Sequence, residues 1–173
     1  PAEYIEKIIE KGNYDAGYMG LRQTSLGLID MAWHGNTEPG TIDEVEDKVH
    51  ALTSFFPERS SAMSQRFGHL FAGGYSAGYY SYKWAEVLEA DIFEEFKQNG
   101  LYDAETSQRL KETIYTKGGQ VDPMDLFKEM MGREPNPDAL LRREGILSET
   151  APSQNTAPEV QTQNLPDNGP DFG

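Results

Sequence analysis

Cysteine is absent from this 173-residue chain, which excludes disulfides, thiolate nucleophiles and zinc sites of the CxxC type. No run of about 18 apolar residues occurs, so no bilayer-spanning helix is expected. Basic residues are scarce: 15 Lys and Arg stand against 29 Asp and Glu, a formal net charge of -14. Charge of that sign repels phosphate backbones and anionic membrane surfaces, so neither nucleic acid nor membrane is an expected partner. It is compatible with cationic or peptide ligands without selecting them. HExxH, calcium-loop and P-loop spacings are all missing. His34 and His50 have no partner at metal-ligand spacing and read as structural residues, so no metal site is expected within the chain. The opening PAEYIEKIIEKG lacks an initiator Met, and charge interrupts its apolar residues. It does not read as a signal peptide, and the chain is expected to begin after processing or inside a longer protein. With no export signal visible, the cytoplasm is the expected compartment.

What is present points to helices. Hydrophobic residues make up 37% and charged residues 25%, a globular composition on the polar side. TIDEVEDKVHAL offers Thr41 as N-cap with Glu44 three positions on, the spacing of a capping box. Asp103 can cap AETSQRLKETIY, which should stop at Gly118 and Gly119. Asp122 and Asn136 each precede a proline, which the first turn of a helix tolerates because that N–H has no partner there anyway. YDAGYMGLRQTSLGLIDMAWHG carries Tyr18, Leu21, Leu28 and Ala32 on one line and Leu26, Ile29 and Trp33 on a second, as in a helix buried over a broad face. Sustained strand alternation is missing. The expected fold is all-α, with roughly six or seven helices. From Ser148 onward the composition turns polar, with four prolines and no Lys or Arg. Residues 1–147 are therefore expected to form the helical portion and 148–173 an acidic, disordered tail that cannot bury enough surface to offset its ordering entropy.

One segment is unlike the rest. HLFAGGYSAGYYSYKW, residues 69–84, packs three glycines and four tyrosines beside a histidine. Glycine loosens the backbone, while each tyrosine brings a large ring and a hydroxyl that needs a partner when buried. A helix is expected from about Tyr79 to Gly100, with Tyr80, Trp84, Val87 and Leu88 on its core face. If that helix already includes Tyr75, then Tyr75, Tyr79, Tyr82 and Glu86 line the opposite face. Gly68, Gly73, Gly74 and Gly78 would keep the preceding backbone mobile, so that phenol hydroxyls move onto a bound ligand as the loop closes. Tyrosines at helical spacing also occur as plain half-buried packing, and spacing alone leaves both readings open.

FGHLFAGGYSAGYYSYKWAEVLEADIF, followed by GGQVDPMDLFKEMMGREPNPDALLRREGIL, closely resembles the end of the zinc oligopeptidases of the thimet oligopeptidase, oligopeptidase A and peptidyl-dipeptidase type. LRQTSLGLIDMAWH is similar to a helix just upstream in that family, and the resemblance covers residues 1–147. It implies a mostly helical, two-lobed enzyme whose deep channel admits short peptides. It also implies a zinc cofactor held by two histidines of an HExxH helix and a glutamate on a following helix, with the HExxH glutamate activating water. This sequence contains none of those groups, so the resemblance implies a C-terminal part that is inactive alone and partners the upstream HExxH-containing part. Within the matched segment it assigns catalytic roles to Tyr82, as donor to the tetrahedral oxyanion, and to His69. Tyr75, Tyr79, Gly73 and Gly74 take substrate-binding roles, the glycines in a loop that folds over the peptide. A non-catalytic helical peptide- or protein-binding module, or an acidic helical scaffold, remains the alternative.

Overall fold

In the computed structural model, residues 2–35, 38–59 and 62–148 are described. Seven α-helices and no strand occur among them, as the all-α expectation requires. The described residues divide into two compact units, one running to Lys83 and the other starting at Trp84. The expected tail lies, apart from Ser148, outside the described residues.

Helix α1 (Ala2–Asn13) has Glu3 in its first turn and Lys11 in its last, charges that complement the helix dipole. It buries no residue, and Tyr4, Ile5, Ile8 and Ile9 are all exposed. Helix α2 (Ala16–His34) buries Leu26, Gly27, Ile29 and Asp30. Burial is thus confined to its second half, and Tyr18, expected on the buried face, is exposed. Helix α3 (Ile42–Thr53) starts with the expected capping box. The Glu44 N–H donates to Thr41 Oγ1 at 3.3 Å, and the Thr41 N–H donates back to Glu44 Oε2 at 2.7 Å. Its buried residues are Val45, Glu46 and Val49. Ile29, Val49 and Leu70 form the core of this unit, with Leu28, Trp33, Met63 and Phe67 packed around it. Leu70 is completely buried, a contribution of about 1.5–3 kcal/mol from its side chain alone.

Helix α4 (Ser81–Asn99) starts two residues later than the sequence suggests. Tyr79 and Tyr80 instead lie in turns, closed by Ser81 N–H to Gly78 O and Tyr82 N–H to Tyr79 O. The expected core face is also corrected. Tyr80 and Trp84 are exposed, Val87 and Leu88 are partly buried, and the residues that α4 buries are Ala90 and Asp91. In the second unit, Ala90, Ala139 and Leu140 form a core cluster with Val87 against it.

Helix α5 (Ala104–Leu110) is capped by Asp103, whose Oδ2 accepts the Thr106 N–H at 2.7 Å. It continues through a wider π-turn at Lys111–Tyr115 before the chain reverses. Helix α6 (Pro123–Met131) is capped by Asp122 and stops at Gly132, whose φ of 70° suits a residue without Cβ. Helix α7 (Asp138–Arg143) begins one residue after the expected Pro137, yet Asn136 does act at its start, because its Oδ1 accepts the Asp138 N–H at 2.9 Å. Asp91, nearly fully buried, ties α4 to this region. It receives both guanidinium nitrogens of Arg133, at 2.6 and 2.7 Å, and the Asn136 N–H at 2.8 Å.

Candidate functional site

Between α3 and α4 the described residues form turns, bends and one 3-10 turn at Gly68–Leu70, and two buried carboxylates hold them. Glu46 on α3 accepts the Met63 N–H at 2.9 Å, the Ser64 N–H at 2.6 Å and a guanidinium N–H of Arg59 at 2.8 Å. Desolvation is the largest single influence on its pKa and pushes it up. The hydrogen bonds from the Ser64 backbone and hydroxyl and from Met63, together with the Arg59 charge, outweigh that effect and leave the carboxyl below the usual glutamate range. Arg59 also bonds Asp43 and Asp47, and the Trp33 indole N–H donates to Ser64 Oγ at 2.9 Å.

The second carboxylate is Asp30, completely buried in α2. Its Oδ1 accepts the Ala77 N–H and its Oδ2 the Tyr79 N–H, each at 3.0 Å. His34 Nδ1 lies 2.9 Å from both Asp30 Oδ1 and the Asp30 backbone oxygen. Two acceptors facing one ring nitrogen place the imidazole proton on Nδ1. Ala77 sits at φ 55°, while Gly73 and Gly74 sit at 80° and 78°. A left-handed conformation costs an L-residue about 1–2 kcal/mol, so the paired N–H bonds to Asp30 offset a real strain at Ala77. At Gly73 a Cβ would also meet the Tyr75 ring at 3.2 Å, which makes glycine necessary there on two counts.

On this frame five rings gather. His69 lies 5.1 Å from Tyr75, 5.4 Å from Tyr79 and 6.0 Å from Tyr82, measured between ring centroids. Tyr75 stacks on Tyr82 at 5.3 Å, Tyr79 meets Tyr82 at 5.2 Å, and Phe67 closes edge-on against Tyr79 at 4.7 Å. Edge-to-face and offset-stacked arrangements at these spacings are mutually favourable. The hydrogen bond between Tyr82 and Tyr75 is the main reason that the Tyr82 phenol is pushed up to about 12, with desolvation and the neighbouring phenols Tyr75 and Tyr79 adding to it. A bond that raises a phenol's pKa favours the protonated form, so Tyr82 is held as a hydrogen-bond donor. The Tyr79 hydroxyl instead donates to Gln23 Oε1 at 2.9 Å.

All six candidates from the sequence therefore fall in one segment, and four of them, His69, Tyr75, Tyr79 and Tyr82, meet ring to ring. The way they meet differs from expectation, because consecutive turns rather than a helical face bring Tyr75 and Tyr79 to Tyr82. His69 and Tyr82 are exposed and Tyr75 and Tyr79 half-buried, so the cluster is not sealed in the interior. Two clefts lie elsewhere. One of about 410 Å³ in the first unit is lined by Tyr18, His50, Phe56 and Arg59 among others. The other, about 680 Å³, in the second unit, is lined by apolar residues such as Leu88, Phe93, Phe96 and Phe127. None of the six candidates lines either cleft. Sequence reasoning missed Asp30 and Glu46; the available signal was a lone acid inside the apolar run LGLIDMAW and one on the apolar face of α3.

Among the described residues, no three His, Asp or Glu side chains converge as a metal-ion site. The donors of the described residues thus do not fit the zinc that the resemblance implies. Among the same residues, no helix is long and apolar enough to cross a membrane.

The model of "Peptidase family M3" matches residues 1–146. Oligopeptidase A of Escherichia coli is 41% identical over 150 residues, which cover 84% of this chain and 22% of that protein. A probable cytosolic oligopeptidase A of Arabidopsis thaliana is 42% identical over 159 residues, 87% of this chain and 23% of its own length. The dipeptidyl carboxypeptidase of Escherichia coli is 30% identical over 153 residues, 84% of this chain and 22% of that protein. The chain thus spans about a fifth of the length of these relatives. A match over nearly all of residues 1–147, carrying the glycine–tyrosine segment and the capped helices that follow it, has one conclusion: the chain belongs to peptidase family M3.

Proposed function

We propose that this chain is the C-terminal part of a zinc-dependent peptidase acting on short peptides, and that it supplies a glycine-rich substrate loop and a set of phenolic hydrogen-bond donors. Residues 1–147 form that part and 148–173 a tail beyond it. The observation that carries the reading is the convergence of His69, Tyr75, Tyr79 and Tyr82 with the Tyr82 phenol kept protonated. Attack on a peptide carbonyl puts negative charge on oxygen, and a fixed donor aimed at that oxygen lowers the barrier by about 2.7–4 kcal/mol. Tyr82 fills this role. His69 helps stabilise that charge, Tyr75 and Tyr79 bind the peptide around it, and Gly73 and Gly74 let the backbone approach. The metal, held by an HExxH segment outside these residues, supplies Lewis-acid chemistry.

The alternative of a peptide-binding module predicts binding by this chain without turnover in any longer form. The compartment is the cytoplasm, a reading supported by the relative named as cytosolic and set against another named as chloroplastic and mitochondrial. The test is Tyr82→Phe in the native polypeptide that carries both the HExxH segment and these residues. kcat should fall by roughly a hundredfold or more with the fold intact. A rate near that of the unmodified enzyme removes Tyr82 from the mechanism.

A further inference from the structure

We infer that Asp30 is a positioning residue that divides the glycine–tyrosine segment into a fixed part, residues 77–82, and a movable part, residues 73–76. The geometry is one-sided. On the C-terminal side, both carboxylate oxygens of a completely buried residue are taken by backbone N–H groups two positions apart, those of Ala77 and Tyr79. Charge-assisted bonds of this kind are roughly twice as strong as neutral ones. The anchor itself is braced by His34 on the same helix, and α2 is held in the core through Ile29. From Gly78 the turn bonds run directly into α4, so Tyr79 and Tyr82 are fixed relative to α2. The Tyr79 phenol bond to Gln23 of the same helix reinforces this.

On the N-terminal side nothing comparable exists among the described residues. The amides of Gly73, Gly74, Tyr75 and Ser76 donate to no backbone oxygen, and the pair of glycines carries the left-handed turns. The attachments there are the Gly78 N–H bond to Tyr75 O at 2.8 Å, the Ser76 hydroxyl bond to Leu70 O at 2.7 Å and the contacts of the Tyr75 ring, while Phe71 and Ala72 stay tied to Gly68 O through their own N–H groups. Movement of the segment is therefore a swing of residues 73–76 that carries Tyr75 off Tyr82. The Tyr82 ring, now stacked on Tyr75 at 5.3 Å, is uncovered by that swing, and its hydroxyl is free to meet a substrate oxygen while its position is kept by Asp30. This rests on the proposed oxyanion role of Tyr82, and the two can fail separately.

The experiment combines hydrogen exchange and kinetics on the native HExxH-containing polypeptide. In the unmodified protein, peptides covering residues 77–80 should exchange far more slowly than those covering 73–76; equal exchange overturns the division whether or not any variant folds. Asp30→Asn keeps the shape but sets an amide NH2 against one of the two N–H groups. Exchange over residues 77–80 should then quicken by roughly tenfold to a hundredfold, with the core around Ile29 and Val49 unchanged. kcat should fall by roughly tenfold to a hundredfold, with KM nearly constant. In a Tyr82→Phe background the same substitution should cost little more, because the group it positions is gone. Unchanged exchange in Asp30→Asn, or a full additional loss in the double variant, overturns the inference. A silent Tyr82→Phe removes the oxyanion role instead, and the exchange data still decide whether Asp30 holds the turn.

Discussion

Replacing Glu46 by Gln isolates the force that holds the chain ahead of the aromatic cluster. The side chain is nearly fully buried, and its two oxygens receive the Met63 and Ser64 N–H groups and the Arg59 guanidinium. Glutamine keeps one oxygen, so one of the two N–H bonds survives. The other N–H faces an NH2 and is left unpaired, at a cost of about 1–3 kcal/mol, and the remaining bonds lose their charge. The sum is about 3 kcal/mol at neutral pH. Chemical unfolding followed by Trp33 fluorescence is the natural assay, because that indole bonds Ser64 directly; Trp84→Phe removes the second indole. The effect has a defined pH dependence. Since the folded-state pKa of Glu46 is depressed, its contribution is complete above the unfolded value of about 4.3 and disappears as pH falls through the folded value. The difference between the two proteins should therefore shrink in acid. A loss below about 0.5 kcal/mol at pH 7, or one that stays constant down to pH 3, refutes the argument that a charged carboxylate organises this loop.

Two further outcomes test local parts of the structure. Ultraviolet titration of the phenols should show one tyrosine ionising near pH 12, and Tyr75→Phe should return it toward the ordinary value of about 10. Because the folded pKa is raised, the stabilisation by this hydrogen bond is complete below about pH 10 and is lost as pH rises through the folded value. A titration with no phenol displaced upward removes the Tyr75–Tyr82 bond. At the end of α6, Gly132→Ala meets open space but a φ of 70°, so thermal unfolding should report a loss of about 1–2 kcal/mol. A neutral substitution would mean that the helix ends differently.

Features that depend on neighbours along the chain were readable from residue order alone. Thr41 and Glu44, Asp103 and Thr106, and Asp122 before Pro123 form their caps with partners two or three residues away. Such contacts are written in spacing, because helix geometry fixes them before any packing occurs. The cluster of glycines and tyrosines was legible for the same reason, being contiguous. Helix spacing put Tyr80 and Trp84 inside, yet α4 starts at Ser81 and both side chains remain exposed. An amphipathic period names a face, but burial needs a surface opposite it.

Which acids matter emerges from long-range packing. Asp30 reaches the Ala77 and Tyr79 N–H groups across 47 and 49 residues of sequence, and Glu46 reaches Met63 and Ser64 across 17 and 18. Among 29 acidic residues the local mark on these two is a place within an apolar run or face, and it does not say which donors they bind. Their role comes from desolvation, which makes a buried carboxylate intolerable until backbone donors from elsewhere in the chain surround it. Those donors come into place only when the chain has folded.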